Sequence, residues 1–418
     1  MFDIAVACLV LTALLAYINH RFVGLPTTIG VMVAAMLLSF SLVGLDKLGI
    51  GRLREYEQAL LSSIDFSEVL MQGMLSLLLF AGALHVDLGE LRTVRRQVGS
   101  LAVFGTLLSS ILVGFGLWYT LPLLGVALSL PYCLVFGTLI SPTDPIAVMG
   151  VLKSAGAPKR LESLIAGESL FNDGVGVVLF SLVATMAASG EMSTIRHATA
   201  LLVREAGGGI LLGLALGYVC FAMLRSIDSY QEEVLITLAI VLGGYEFATF
   251  LHVSGPLAMV VVGLVIGNHG RALAMSEETR HRLDMFWEML DELLNAILFV
   301  LIGMQVVVIP VSTGIGVAAA AVIAVTLAAR VVSVAGPMRI FGDALALPAG
   351  SWKIVTWGGL RGGISVALAL SLRAGPERDL ILALTYSVVV FSVLCQGLTM
   401  GHVVRITLAR APSDGRPT

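Results

Sequence analysis

Long apolar stretches recur along this chain, each about as long as a helix that crosses a bilayer. A crossing helix needs roughly 20 mostly apolar residues, and that length rule predicts about 13 spans. The predicted spans cover residues 2–19, 26–44, 66–85, 98–120, 128–152, 161–187, 200–224, 233–251, 254–268, 285–309, 312–336, 350–372 and 380–404. The ninth span is short, and joining it to the eighth would change the count. Because the stretches are continuous and not alternating, the pattern excludes an outer-membrane barrel.

Composition strengthens the membrane assignment. Hydrophobic residues make up 57% of the 418 residues, charged residues only 13%, and the mean hydropathy is +0.96. An average soluble domain carries roughly 25% charged residues, so this chain has too little charge to cover a soluble surface. We therefore predict an all-α polytopic membrane protein and exclude a soluble enzyme, a disordered chain and a coiled coil. The net charge of −3 does not indicate a nucleic-acid partner, and the four cysteines lack metal-site spacing.

The distribution of basic residues predicts the orientation of the chain. With the N-terminus outside, about 15 Lys and Arg fall in cytoplasmic loops and the tail, against about 6 in outer loops. We therefore expect an external N-terminus and a cytoplasmic C-terminus. The location we expect is the cell membrane, in this case a bacterial inner membrane. No linker divides the sequence, so we expect one transmembrane domain over residues 1–407 and a short cytoplasmic tail over 408–418.

Two of the predicted spans are interrupted by residues that do not suit a helix. The fifth contains Ser-Pro-Thr-Asp-Pro at 141–145, and the twelfth contains four glycines around Arg361, at 358–363. Broken backbone survives at membrane depth only where protein or a wet cavity satisfies it, so the matching breaks predict a transport site. Asp144 and Arg361 would neutralise the helix ends there, unless both breaks are ordinary packing kinks. This interpretation gives inverted repeats at roughly 26–187 and 233–404.

The sixth predicted span carries the densest polar chemistry. Within Gly-Glu-Ser-Leu-Phe-Asn-Asp-Gly at 167–174, helical spacing places Glu168 one turn before Asn172, and Ser169 one turn before Asp173. The resulting stripe holds two carboxylates, a hydroxyl and an amide, all oxygen ligands suited to a hard cation. A charge at mid-span costs roughly 2.5–3.5 kcal/mol, so each one needs a partner or a function. The structural alternative is a hydrogen-bonded patch between helices.

One further charge within a span needs a counter-charge. Arg330 lies among Ala, Val and Leu in the eleventh span, and Glu168 is our candidate acid. Such a pair would be structural and would hold the sixth span against the eleventh. Helix-end or cavity-lining roles are favoured over ion binding for the remaining polar residues near spans, namely Glu246, Asp291, Glu292 and Asn295.

Five motifs occur in order over nearly the whole chain: SPTDPIAV, GESLFNDGVGVVLF, HVSGPLAMVVVGLVIGN, NAILFVLIGM and TWGGLRGGISVALAL. Together they resemble the sodium/proton antiporters of the NhaP and NHE type, in the monovalent cation:proton antiporter-1 family. The resemblance implies a fold of 13 spans, in which a six-helix core domain moves against a dimerisation domain. It therefore also implies a homodimer.

The resemblance assigns a role to the polar stripe. Asp173 would be the carboxylate that binds either the cation or the proton, and Asn172 would stabilise the broken span beside it. Ser169, Thr143 and the backbone beside Thr143 would add oxygen ligands for Na⁺. These assignments make Asp173, Ser169 and Thr143 the expected Na⁺ ligands.

The resemblance also assigns the surrounding charges. Glu168 would pair with Arg330 and reach the ion through water, while Asp144 and Arg361 would balance the helix ends at the crossing. Asp144 and Glu168 thus complete the expected cation- and proton-binding set. Ala81 departs from the family pattern, because we expect many bacterial relatives to carry an acid there.

Physical chemistry supplies a mechanism for such a site. Burial disfavours the charged form of a carboxylate, so a buried Asp gains stability from binding either a proton or a cation. Either ligand neutralises the charge that would otherwise oppose movement across the apolar barrier, and exchange therefore becomes obligatory. One titrating Asp beside a neutral Asn predicts 1:1 electroneutral exchange of Na⁺, or another monovalent cation, for H⁺. We expect no cofactor beyond these transported ions.

Three alternatives compete with this function. A cation channel would use rings of carbonyls or acids around a pore, and the sequence has no repeated filter segment. An intramembrane aspartyl protease would need two facing aspartates in a Gly-x-Gly-Asp-like context, which Asp144 and Asp173 do not offer, so we predict a transporter and not an enzyme. A potassium-preferring exchanger would differ in cavity size and ligand flexibility, which the sequence does not determine.

Overall fold

A computed structural model describes residues 2–47, 73–189, 200–305, 313–341 and 350–409 of the chain. Within these ranges the protein forms helices and no sheet, apart from an isolated antiparallel bridge between Asp144 and Leu360. The predicted all-α fold is confirmed. From residue 410 onward, the predicted tail lies outside the described residues.

Helices follow one another with short connections along the described chain. The first eight are α1 (Phe2–Ile18), α2 (Thr27–Lys47), α3 (Leu75–Leu84), α4 (Leu88–Gly99), α5 (Thr106–Leu123), α6 (Leu130–Ile140), α7 (Ile146–Ser154) and α8 (Lys159–Ser189). The next are α9 (Gly208–Arg225), α10 (Tyr230–Phe250), α11 (Gly255–Val265), α12 (Glu277–Gln305), α13 (Thr313–Phe341), α14 (Ser351–Trp357), α15 (Gly363–Leu370), α16 (Pro376–Phe391) and α17 (Leu398–Ala409). Short π-helical segments extend several of them, such as Ser392–Gly397 between α16 and α17.

The described helices lie where the hydrophobic pattern predicts them, and residues 66–72 of the predicted third span and 306–309 of the tenth lie outside the described residues. Seven helical stretches in the described ranges are long and apolar enough to cross a membrane, by length and composition. The longest of them, Leu88–Leu123, joins α4 to α5 through a π-helical turn. The protein is a multi-pass membrane protein, and the figure of about 13 crossings stays a prediction.

Close contacts divide the chain into two compact units. The first consists of Met1–His85, Met192–Val317 and Gly363–Tyr386, and the second of Val86–Glu191, Ala318–Gly362 and Ser387–Thr418. Each unit is therefore assembled from segments that are distant in sequence. The single domain and the inverted repeats of the sequence analysis stay predictions.

Each unit has its own apolar core among the described residues. In the first, the rings of Phe80 and Trp287 pack with centroids 4.5 Å apart, and the Trp287 indole N–H donates to the Thr237 hydroxyl at 3.2 Å. In the second, fully buried aliphatic side chains from α4, α7, α8 and α14 form one cluster. That cluster lies directly beside both helix breaks and gives them a rigid support.

Candidate functional site

The two predicted helix breaks are present, and they meet in the second unit. The chain is not helical between α6 and α7, nor between α14 and α15. Where the breaks cross, the backbone N–H of Asp144 donates to the carbonyl of Leu360 at 2.8 Å. Backbone groups released from two helices thus pair with each other, as burial in an apolar medium requires.

Arg361 lies at this crossing and caps the end of the first broken helix. Its side chain is 2% exposed, and its Nη1 donates to the carbonyls of Ser141 and Pro142, the latter at 2.9 Å. These carbonyls follow the C-terminus of α6, where a helix carries unsatisfied acceptors and partial negative charge. The carboxylate of Asp144 lies against Gly362, where a Cβ would overlap it. The helix-end role of Asp144 stays a prediction.

Two residues of the Ser392–Gly397 segment support the second break. The backbone N–H of Arg361 donates to the Ser392 hydroxyl at 2.8 Å, and the Gln396 amide donates to the Trp357 carbonyl at 3.1 Å. Neither residue is among the predicted site residues. The cost of an amide inside an apolar span could have identified Gln396, whereas a serine is too common in spans to draw attention.

Glu168 and Arg330, which the sequence pairs, form a buried bidentate ion pair. The Arg330 Nη1 and Nη2 atoms donate to the two carboxylate oxygens at 2.7 and 3.0 Å, and the residues are 2% and 5% exposed. Nη2 also donates to the carbonyl of Val355 in the last turn of α14, at 3.1 Å. The Asn172 amide donates a third hydrogen bond to Glu168, at 3.1 Å. The Glu168 charge is therefore fully engaged by the protein.

Asn172 ties α8 to the first break. Its Oδ1 accepts the backbone N–H of Thr143 at 3.2 Å, and its Nδ2 donates to the Thr143 hydroxyl at 2.8 Å. The Ser169 hydroxyl donates to the Thr143 carbonyl and lies 3.1 Å from the Thr143 hydroxyl. Gly176 permits this approach, because a Cβ there would overlap the ring of Pro142. The predicted oxygen ligands thus converge on one turn of α8.

Asp173 differs from every other charged group at the crossing. Its side chain is 8% exposed, yet no described residue donates a hydrogen bond to its carboxylate. The charges that act on it are those of Asp144, Glu168 and Arg361. A buried carboxylate that accepts no hydrogen bond is strongly stabilised when it binds a proton or a cation. The structure therefore brings the predicted site residues into one cluster and leaves one of them available.

Helices that break and cross around a charged cluster define a class of protein, the secondary transporters with discontinuous helices. The sequence pattern of the family described as "Sodium/hydrogen exchanger, transmembrane" matches residues 10–406. The chain belongs to this family. The family resemblance noted in the sequence is therefore confirmed, and this is a family of transporters.

Named relatives and a solved structure agree with this assignment. The chain is 52% identical to the Na(+)/H(+) antiporter NhaP of Pseudomonas aeruginosa over 419 residues, which cover 99% of each chain. It is 34% identical to the Na(+)/H(+) antiporter NhaH of Halobacillus dabanensis, over 89% of this chain and 90% of the relative. The sodium proton antiporter MjNhaP1 of Methanocaldococcus jannaschii, solved at pH 8, has the same fold, with a TM-score of 0.76 at 19% identity over 96% of this chain and 97% of that one.

Proposed function

We propose that this protein is a sodium/proton antiporter in which Na⁺ and H⁺ compete for the carboxylate of Asp173. The observation that carries the proposal is the setting of Asp173, which is buried at the crossed breaks with no donor from the described residues. The named relatives, which are Na⁺/H⁺ antiporters, support the choice of ions. Together the two findings favour exchange over the channel and protease alternatives.

The cation site we propose consists of oxygen atoms from two elements. Asp173 supplies the charge, and the hydroxyls of Ser169 and Thr143 supply neutral ligands from α8 and the first break. Hard cations such as Na⁺ prefer oxygen ligands of this kind. Asn172 holds Thr143 against α8, and the charges of Asp144 and Glu168 act on Asp173.

Exchange follows from charge neutralisation. Asp173 is neutral with a proton bound, and its charge is balanced with Na⁺ bound, so either loaded form can cross the apolar barrier in an alternating-access cycle. The unloaded carboxylate leaves a buried unpaired charge, which disfavours an empty return. Because Glu168 is held by Arg330 and Asn172 is neutral, we infer a 1:1 electroneutral exchange.

Flux through proteoliposomes tests the function directly. Purified full-length protein is reconstituted, and proton movement is followed with a pH-sensitive dye after addition of Na⁺, Li⁺ or K⁺. We expect saturable proton movement driven by Na⁺ and blocked in Asp173→Asn vesicles. A large unitary conductance in planar bilayers would establish the channel instead, and a response to K⁺ alone would establish the potassium-preferring exchanger.

The cellular setting belongs to the same proposal. The excess of basic residues in predicted inner loops supports an external N-terminus and a cytoplasmic C-terminus. The location we propose is a bacterial inner membrane. The family resemblance supports a homodimer. Labelling of single cysteines introduced at the two ends of the chain, by a membrane-impermeant reagent on intact cells, tests the orientation.

A further inference from the structure

A small cavity adjoins Arg330 within the second unit. Its volume is about 10 Å³, which corresponds to the space that one water molecule needs. Polar lining comes from two residues of α13 one turn apart, from the second break and from the Ser392–Gly397 segment. The lining residues used below are Thr326, Arg330 and Gln396.

Two buried polar atoms at this cavity have no hydrogen-bond partner among the described residues. They are the Nε of Arg330 and the hydroxyl oxygen of Thr326. The other guanidinium nitrogens of Arg330 donate to Glu168 and to the carbonyl of Val355, so Nε is the nitrogen for which the described residues supply no partner. Unpaired donors on a charged group are costly when buried, and native proteins commonly satisfy them with ordered water.

The hydroxyls of Ser109, Thr356 and Ser365 are also buried without a partner among the described residues, but of these four hydroxyls only that of Thr326 lines the cavity. Within helices, the hydroxyls of Thr12, Ser110 and Thr385 each donate to the carbonyl four residues earlier. Thr326 makes no such bond, although it lies in the middle of a regular helix. Since residues four apart share one helix face, its hydroxyl and the Arg330 Nε can both reach one molecule in the cavity.

We infer that this cavity binds one ordered water molecule, which accepts from the Arg330 Nε and hydrogen-bonds to the Thr326 hydroxyl. The amide of Gln396, which also lines the cavity, offers a third polar partner. The site is distinct from the cation site and is formed by different atoms.

The water has a consequence for the cation site, and this part rests on the proposed function. It fixes the plane of the Arg330 guanidinium, which holds Glu168, and Glu168 in turn accepts from Asn172. Thr326 is therefore a positioning residue, which acts on the cation ligands through Arg330. Its loss should weaken Na⁺ binding without removing any ligand.

A high-resolution density map of the purified protein tests the water itself. We expect one peak within hydrogen-bond distance of both the Arg330 Nε and the Thr326 hydroxyl, and no peak in Thr326→Val. The absence of a peak in the wild type would overturn the inference. Crystals soaked in bromide supply a second check, because an anomalous signal in the cavity would show an anion site and would also overturn it.

Transport kinetics test the positioning role. Thr326→Val keeps the shape but loses the hydroxyl, and we expect its apparent KM for Na⁺ to rise about two- to tenfold with a smaller change in maximal rate. Thr326→Ser should stay near the wild type. The control is Thr120→Val, since that hydroxyl donates to the Gly116 carbonyl within α5 and lines no part of the cavity.

The possible results distinguish a failure of the positioning role from a failure of the proposed function. A lower melting temperature in Thr326→Val with an unchanged KM would show a merely structural water and overturn the positioning role. Absence of Na⁺-driven proton movement in the wild type would refute the proposed function instead. The density map and the melting temperature would still decide the water site, because neither measurement depends on transport.

Discussion

Two carboxylates on α8, five residues apart, have opposite surroundings. Glu168 is 2% exposed and accepts three hydrogen bonds, two from Arg330 and one from Asn172. Asp173 is 8% exposed and accepts none from the described residues. Residue type and burial are therefore nearly the same at the two positions, and the difference lies in the partners that other segments bring.

This difference separates a structural charge from an exchangeable one. A carboxylate whose oxygens are occupied by a bidentate guanidinium can bind a cation only by breaking strong charge-assisted hydrogen bonds. A buried carboxylate without donors has no such bonds to lose, and it gains from any proton or cation that reaches it. Under the proposed function, Glu168 keeps the local structure fixed while Asp173 exchanges its proton for a cation.

The substitution Asp173→Asn should have the largest effect on transport. The protein should fold and insert into the membrane, but exchange should be abolished. An amide does not bind a proton near neutral pH, and it carries no charge to balance that of a cation. Dye-monitored flux in proteoliposomes measures the loss. Glu162→Gln, on the first turn of the same helix, is the matched control and should transport normally. Na⁺-driven proton movement retained by Asp173→Asn would refute the assignment.

Breaking the Glu168–Arg330 pair should affect stability more than any surface change. Arg330→Ala leaves a buried charge without its partner, at a cost of about 3–5 kcal/mol, and should lower the melting temperature and yield. Combining it with Glu168→Gln should restore part of the stability, because the unpaired charge is then removed. Thermal melts of the four proteins in this cycle measure the coupling, and additive effects would contradict the pairing.

A surface pair provides the control for that cycle. Arg282 and Glu278 form an ion pair with side chains 45% and 73% exposed. Exposed pairs of this kind contribute up to about 1 kcal/mol, so Glu278→Gln should change the melting temperature little. A loss as large as that of Arg330→Ala would show that the assay does not distinguish buried from exposed pairs.

Competition between H⁺ and Na⁺ for Asp173 should produce a smaller effect, a change in the apparent KM for Na⁺ with pH. Lowering the pH protonates Asp173, so the apparent KM for Na⁺ should rise. Well below the pKa of Asp173, the rise should approach tenfold per pH unit, or about 1.4 kcal/mol of competing proton binding. The maximal rate should change much less, since saturating Na⁺ displaces the proton. Flux measured from pH 6 to 8 over a range of Na⁺ tests this, and a flat KM with a collapsing maximal rate would indicate a separate pH sensor.

The smallest expected effect concerns the membrane voltage. If one proton exchanges for one Na⁺, no net charge crosses the membrane, and the transport rate should not change with an imposed potential. Potassium gradients clamped with valinomycin set the potential in proteoliposomes. A rate that follows the potential would show unequal charge movement and would implicate a second carboxylate, Asp144 or Glu168.

Much of the site could be predicted because its chemistry is local in sequence. The four polar residues at 168–173 share one helix face by spacing alone, and proline and glycine mark the two breaks. The argument that each intramembrane charge requires an opposite one predicted an acidic partner for Arg330, and Glu168 was the candidate, but this argument does not by itself exclude Asp173. The contacts of Ser392 and Gln396 could not be predicted, because the backbone groups that they bind belong to another segment of the chain.

The sequence by itself determined the all-helical membrane fold, the two breaks and the polar stripe of α8, since apolar runs, proline, glycine and helical spacing act within one segment. Tertiary structure decided that Glu168 is held by Arg330 and that Asp173 accepts no hydrogen bond from the described residues. Arg330 reaches Glu168 across 162 residues of chain, and Arg361 reaches the Ser141 carbonyl across 220. No local pattern encodes such contacts, because they arise only when distant segments pack together and each buried polar group must find a partner.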